Sequence, residues 1–410
     1  MISLAKCEAL DSADPLRAYR GQFELPDGVI YLDGNSLGAL PKAVAARVAR
    51  TVSEEWGKSL ITSWNEHGWF DLPQRVGDRL GKLIGAPTGT VVACDTISAN
   101  LYKLVIEALS LTDRKVILSD SGNFPTDLYI AQSALDVAHP GGELRIVEPE
   151  SVASAITTDI AILMLTEVDY RNGRLHDMRA LTEAAHKAGA LTIWDLAHSA
   201  GALPVDLTAA NADFALGCTY KYLNGGPGAP AFLYIRPDLQ DRVRSPLSGW
   251  WGHEAPFAFD RDFRPAPGIT RQQCGTQGIL GMAALDAALD VWDGIDMLTL
   301  RRKSQSLSRL FIDQVETNCA RHGLRLAGPR DLNKRGSQVS FHCPEAYAVM
   351  QALIAHGVIG DFRAPDIIRF GLAPLYIGYA DIWHAADTLC RVLDGRLWDR
   401  QEYKTRAVVT

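Results

Sequence analysis

The sequence predicts an α/β protein: a large domain with a mostly parallel sheet flanked by helices, plus a smaller α+β domain. Three observations predict it. Short apolar runs alternate with helical periodicity through the middle of the chain. Roughly the last hundred residues carry a different pattern. And 410 residues, 47% of them hydrophobic, exceed what one core usually holds.

The elements follow in order. Residues 90–94, 115–119, 159–166, 190–195, 213–218 and 229–235 read as short buried strands. Between them lie helical patterns. Leu101, Leu104, Val105 and Ala108 share one face, and residues 178–189 end on a glycine stop. Strands alternating with such helices imply a largely parallel sheet covered on both faces. Further on, residues 303–322 read as a long amphipathic helix. A strand at 338–342, a helix at 346–356, a strand at 366–371 and a helix at 382–393 follow, with Gly395 beyond it. The expected division gives residues 31–290 to the large domain, and 1–30 with 291–410 to the small one. There is no internal repeat and no low-complexity stretch.

Composition excludes several classes. Charged residues make up 22% and the net charge is −7, whereas nucleic-acid binders carry a basic surplus. No apolar run reaches the ~20 residues that span a bilayer. The N-terminus lacks a basic start followed by an apolar stretch, so no secretory signal is expected. Seven scattered cysteines without a CxxC fit reduced thiols in a cytoplasm better than a disulfide framework.

In an open parallel sheet, ligands bind at the carboxyl ends of the strands. Four segments leave such ends. Asp95-Thr96-Ile97-Ser98 opens a helix, where hydroxyls and free N–H groups make an anion site; alone, it is also an ordinary cap. Asn123-Phe124-Pro125-Thr126-Asp127 offers a ring to lie against an aromatic cofactor, or simply a Pro turn with a core Phe. Asp195 ends an apolar strand three residues before His198. A buried carboxylate needs a partner, and a protonated pyridine nitrogen is one. Helix capping is the alternative. The pair could also ligate metal, but no third ligand stands at a suitable spacing, so no metal is expected. Last, Tyr220-Lys221 precedes the glycine-rich run Asn224–Gly228; a Lys there suits Schiff-base chemistry. That run lacks the order of a Walker phosphate loop.

The order of these parts resembles that of fold type I pyridoxal-phosphate enzymes. The resemblance narrows further. Leu32–Gly38 (LDGNSLG), Asn123–Asp127, Asp195–Gly201, Thr219–Gly228 (TYKYLNGGPG), Ser248–His253 (SGWWGH), Ile368–Gly371 and Pro374–Tyr376 are similar to kynureninase motifs, in order, from about Tyr31 to Tyr376.

The resemblance implies pyridoxal 5'-phosphate as cofactor and hydrolysis of L-kynurenine to anthranilate and L-alanine. It implies Lys221 as the cofactor-bearing and proton-moving residue, with Asp195 on the pyridine nitrogen and His198 near the ring's phenolic oxygen. Phe124 would stack on the ring. Thr96, the backbone of Ile97, Pro125, Thr126, Asp127 and Thr166 would complete the cofactor site. Tyr220 would touch the phosphate, donate a proton and, with the phosphate, activate water. Trp250 and Thr276 would reach the phosphate of the neighbouring subunit in a homodimer. Arg369 would grip the substrate α-carboxylate with a two-pronged hydrogen bond. Asn35, Ser36 and Trp64 would line the substrate pocket. Trp64 and Thr276 would line the aryl pocket, and Thr276 in place of the Asn of animal relatives favours kynurenine over its 3-hydroxy derivative.

Some positions depart from the family pattern. Ile97 stands where a second Thr is common, Gly278 where Pro is usual, and Trp251 for a frequent Phe. Rival readings are a cysteine desulfurase-like lyase, an aminotransferase or a non-catalytic pyridoxal-phosphate protein. A desulfurase needs a reactive Cys on a mobile loop, and Cys274 and Cys343 read better as structural residues.

Overall fold

The computed structural model describes residues 2–407. Its larger sheet has seven strands. They are β1 (Val91–Ala93), β2 (Val116–Asp120), β3 (Glu143–Val147), β4 (Ile160–Thr166), β5 (Leu191–Asp195), β6 (Phe214–Gly217) and β7 (Phe232–Ile235). The spatial order is β1-β7-β6-β5-β4-β2-β3. β3, β2, β4, β5 and β6 pair in parallel, while β7 runs antiparallel to both its neighbours. All seven residues of β4 are buried. A central parallel strand is covered on both faces, so it reads as a continuous apolar run.

β3 escaped the sequence reading. It is an edge strand, mostly half-exposed, and Glu143-Leu144-Arg145-Ile146-Val147 carries no apolar run. The strand expected at 229–235 starts only at Phe232, because residues 229–231 still belong to the glycine-rich turn.

Three helices of the large domain matter for the site: α1 (Ile97–Ser110), α2 (Pro125–Ala138) and α3 (Met178–Lys187). α1 buries Leu101, Leu104, Val105 and Ala108, as its spacing requires. Its N-terminus opens just beyond β1, and that of α2 just beyond β2.

The second sheet is antiparallel: β8 (Arg325–Leu326), β9 (Gln338–His342), β10 (Asp361–Arg363) and β11 (Ile367–Gly371), in the order β8-β9-β11-β10. Beside it lie α4 (Met297–Cys319), α5 (Ala346–Ala355) and α6 (Tyr379–Asp394). α4 begins six residues before the expected start. Asp296 accepts from the N–H groups of Leu298 and Thr299, both at 3.1 Å, and so fixes the first turn. α6 also starts early: Asp11, from the N-terminal helix, accepts from Tyr379 N at 2.6 Å and Ala380 N at 2.9 Å. That cap is supplied from far away in sequence, so no local signal announces it.

One expectation is corrected. Cys319 on α4 and Cys390 on α6 are joined as a disulfide across 71 residues, with Cα atoms 5.7 Å apart. The two helices pack side by side and bring the sulfurs together, which spacing along the chain does not reveal. Cys7, Cys94, Cys218, Cys274 and Cys343 are free. No helix among the described residues is long and apolar enough to cross a membrane.

Candidate active site

Lys221 stands in the turn after β6. Its Nζ lies 2.9 Å from Nε2 of His198, which comes from the turn after β5. The Lys221 turn is braced from outside, since Gly38 N donates to Tyr220 O at 2.7 Å. A Cβ on Gly38 would fall 2.2 Å from Lys221 O, so only glycine permits this approach. His198 is buried, and its Nδ1 has no partner. Burial first, then the Lys221 cation, push its pKa well below the ordinary value.

Behind this pair lie two buried carboxyls. Asp195 ends β5, and its Oδ1 accepts from Ala197 N at 2.7 Å. Asp127 sits in the first turn of α2. Thr166 Oγ1, at the end of β4, is 3.5 Å from both Asp195 Oδ2 and Asp127 Oδ2, and donates to Asn123 Oδ1. Burial raises both acids. Asp127 rises furthest, because the charge of Asp195 adds to its burial. Each therefore takes up a proton more readily than a free carboxyl does, and their shared edge has no cation bonded to it among the described residues.

The anion end is α1. Thr96 caps it, accepting from Ala99 N at 3.3 Å, and Ile97 opens the first turn. Asp95 takes a left-handed φ of 50°. The buried Lys103 holds it in place, with Nζ 2.8 Å from Asp95 Oδ2 and 2.8 Å from Gln272 O. Lys103 was missed by sequence reasoning, since a lone Lys within Leu-Tyr-Lys-Leu-Val looks like a solvated helix position. Phe124 precedes Pro125 and Thr126 at the start of α2. It is 42% exposed and meets Tyr170 edge-on, with centroids 5.1 Å apart. Tyr220 is half-buried, and burial followed by Cys218 pushes its hydroxyl upward.

A third cluster gathers around Arg369 on β11, which is 1% exposed. Its Nε donates to Asp361 Oδ1 at 2.8 Å, and Nη2 to Ser36 Oγ at 2.8 Å and to Asp361 Oδ2. Nη1 donates to Tyr170 O. The Nε/Nη2 edge is thus occupied by Asp361, and one Nη1 donor remains. Asp361 and its neighbour Arg363 were missed. The signal was present in Asp361-Phe362-Arg363, an alternating acid and base on a short strand, and cross-strand register sets Asp361 opposite Arg369. Ser36 lies in this cluster as expected, donating to Asp361 Oδ2 at 2.7 Å. Asn35 is wholly buried, its Oδ1 and Nδ2 without partners, and its Oδ1 sits 1.9 Å from where a Gly371 Cβ would be.

Trp64, Trp250 and Thr276 stand elsewhere. Trp64 packs on Trp69 and Trp251 at centroid distances of 5.5 and 5.1 Å. Trp250 is 40% exposed beside Trp251 and Phe257, and Thr276 is exposed. Among the described residues, no hydrogen bond or ring contact joins these three to Lys221 within one chain. No group of His, Cys, Asp and Glu there could hold a metal.

The residues fit pyridoxal phosphate. The site offers an unpartnered buried imidazole nitrogen, a buried acid pair with no cation bonded to it among the described residues, an amine beside that imidazole, and a helix N-terminus at a strand end. An aromatic heterocycle with a protonated ring nitrogen and a phosphate satisfies all four.

Known proteins carry the same pattern. The kynureninase C-terminal domain family matches residues 300–389. A kynureninase of Pseudomonas fluorescens is 52% identical over 98% of this chain and 99% of its own. A kynureninase of Burkholderia pseudomallei is 52% identical over 98% of each. The chain belongs to the kynureninase family. Among solved structures, a cysteine desulfurase of Thermococcus onnurineus superposes with TM-score 0.76 at 19% identity, covering 92% of this chain and 98% of that one. A variant of the cystine C–S lyase C-DES with glycine linked to its pyridoxal-phosphate cofactor reaches 0.79 at 17%, covering 90% and 98%. At those identities the likeness shows the fold alone: a fold type I pyridoxal-phosphate architecture. For the kynureninase chain, burial pushes the Cys343 thiol up to about 11, which does not suit a sulfur-transferring nucleophile.

Proposed function

We propose that this kynureninase-family chain hydrolyses the Cβ–Cγ bond of L-kynurenine to anthranilate and L-alanine, with pyridoxal 5'-phosphate held at Lys221. The observation that carries the reading is the polarity of the site. A cation-seeking acid pair stands at one end, an arginine cluster at the other, and Lys221 with His198 between them. When bound, the cofactor supplies an electron sink for the carbon between amine and carboxylate. The side chains do the rest. Lys221 carries the cofactor and moves protons at the substrate's Cα. Asp195 holds the ring nitrogen's proton. Thr96, the Ile97 N–H and Tyr220 take the phosphate, and Phe124 covers the ring. Arg369 anchors the α-carboxylate and turns Cα toward Lys221. Tyr220, holding its own proton, serves as donor to Cβ as the Cβ–Cγ bond breaks, while water supplies the oxygen that Cγ carries away.

The finer readings belong to the same proposal. Residues 31–290 form the cofactor domain and the remainder the small domain, with the N-terminal helix capping α6. The protein works in a cytoplasm, in tryptophan catabolism that can feed NAD biosynthesis, and prefers kynurenine to its 3-hydroxy derivative. The exposed Trp250 and Thr276 serve the partner's phosphate in a homodimer. Mixing inactive Lys221→Ala and Trp250→Ala variants tests this: recovered activity supports a shared site, and none after proven subunit exchange refutes it. Incubating the holoprotein with L-kynurenine tests the reaction. Equal anthranilate fluorescence and alanine are expected, and a keto acid in place of alanine overturns it in favour of an aminotransferase.

A further inference from the structure

We propose that Arg363 is a second cation in the seat of the substrate α-carboxylate, completing what Arg369 cannot do alone. The inference rests on the kynureninase reading of the site. A guanidinium has five N–H donors. Those of Arg369 are nearly all committed: Nε and Nη2 to Asp361, Nη2 to Ser36, Nη1 to Tyr170 O. Arg363 is the reverse. Its Nη2 meets Asp361 Oδ2 at 2.6 Å and Ser36 Oγ at 3.3 Å. Its Nε is buried without a partner, and no hydrogen bond reaches its Nη1 among the described residues. The side chain is 35% exposed and Nε is the donor shielded from solvent, so the approach is at Nη1.

Position supports the role. Ser36 and Asp361 tie the two guanidiniums together. Ser36 lies two residues from Gly38, which packs on the Lys221 turn. On the other side, Tyr170 accepts from Arg369 and faces Phe124. The arginine pair therefore sits between the amine and the ring wall. Charge agrees. Despite its burial, Asp361 is held below the usual carboxylate range by Arg369 and Arg363. Asp33, the other acid nearby, is pushed up to about 7 by burial and then by Asp361. Two fixed cations thus face one full anion, and an incoming carboxylate restores balance. It is met by Arg363 Nη1 with the remaining Nη1 donor of Arg369.

The test compares ligands with and without the carboxylate. Holoprotein is titrated spectroscopically with L-alanine and with ethylamine, and turnover is followed with kynurenine. Arg363→Gln should weaken L-alanine binding and raise KM for kynurenine about tenfold or more, the loss of one charge-assisted contact. Ethylamine affinity and the resting cofactor spectrum should not change. Arg363→Lys, which keeps the charge at least cost to folding, should recover part of the L-alanine affinity. Equal losses for L-alanine and ethylamine, or no loss for either, overturn the proposal. The binding arms stand apart from turnover, so a wild-type protein that binds L-alanine but releases no anthranilate would refute the reaction and not the role of Arg363.

Discussion

The two ends of the site are built in opposite ways. At the cofactor end, Asp127 and Asp195 are buried with no cation bonded to them among the described residues; burial outweighs the nearby Lys221 charge, and both pKa values are raised. At the carboxylate end, Asp361 is equally buried but lies between two guanidiniums and is lowered. Burial alone penalises a charged acid; the partner decides the sign. The first end therefore awaits a positive group, and the second already holds a surplus of positive charge. A substrate acid bound beside a protonated ring completes both, which is why one pocket recognises cofactor and amino acid together.

Removing the group between the ends should have the largest effect. Lys221→Ala is expected to lower kcat by on the order of 10³-fold or more, as both covalent attachment and proton transfer are lost. Cofactor should wash out on dialysis, read as loss of visible absorbance. A variant with normal turnover would remove Lys221 from the mechanism.

Next comes the acid that awaits a cation. Asp195→Asn leaves the Ala197 N–H with an acceptor but cannot hold a proton on the ring nitrogen. The expected loss is roughly 1.5–3 kcal/mol, a factor of about 10 to 100 in kcat, with the fold intact by circular dichroism. Activity within a few-fold of wild type would mean that Asp127 is the ring's partner instead.

At the opposite end the effect should fall on KM. Arg369→Lys loses the planar contact with Asp361 and Ser36, and KM for kynurenine should rise about tenfold with the resting spectrum unchanged. If the spectrum disappears, Arg369 supports the cofactor or the fold and the two ends are not separable.

The same contrast explains what the sequence made legible. Each cofactor residue lies at the tip of its own strand, in chain order, next to local punctuation: a cap at Thr96, Pro125 opening a helix, the glycine run after Lys221. The parallel strands β4, β5 and β6 were found to within a residue or two, because buried strands are continuous apolar runs. The carboxylate end joins residues 33–36, Tyr170 and residues 361–369, which only tertiary packing unites. Arg369 was found through its motif, but its partner Asp361 was not. The edge strand β3 and the Cys319–Cys390 pair were missed for the same reason: nothing in their immediate neighbours announces them.

The smallest expected effect asks whether the cofactor end carries its strain even in groups that do no chemistry. Glu167 follows Thr166 directly. It is buried, its Oε2 has no partner, and no salt bridge reaches it among the described residues. Burial raises it to about 7, against only weak relief from Ser199 and Arg301. A carboxyl raised in the folded state contributes its stability in full below the unfolded pKa, near 4.5, and loses it as pH climbs through about 7. Glu167→Gln removes that loss, at the cost of one amide needing a partner. The variant should match wild type at pH 5 and melt about 1–3 °C higher at pH 8, a gain near 1 kcal/mol in a chain of this size. KM should stay the same. Asp361→Asn should do the opposite, since a lowered acid contributes stability above its unfolded pKa: a lower Tm at pH 8 and a smaller deficit as pH falls below about 4. Equal Tm shifts of one sign for both variants would show that the two ends do not differ in electrostatic character.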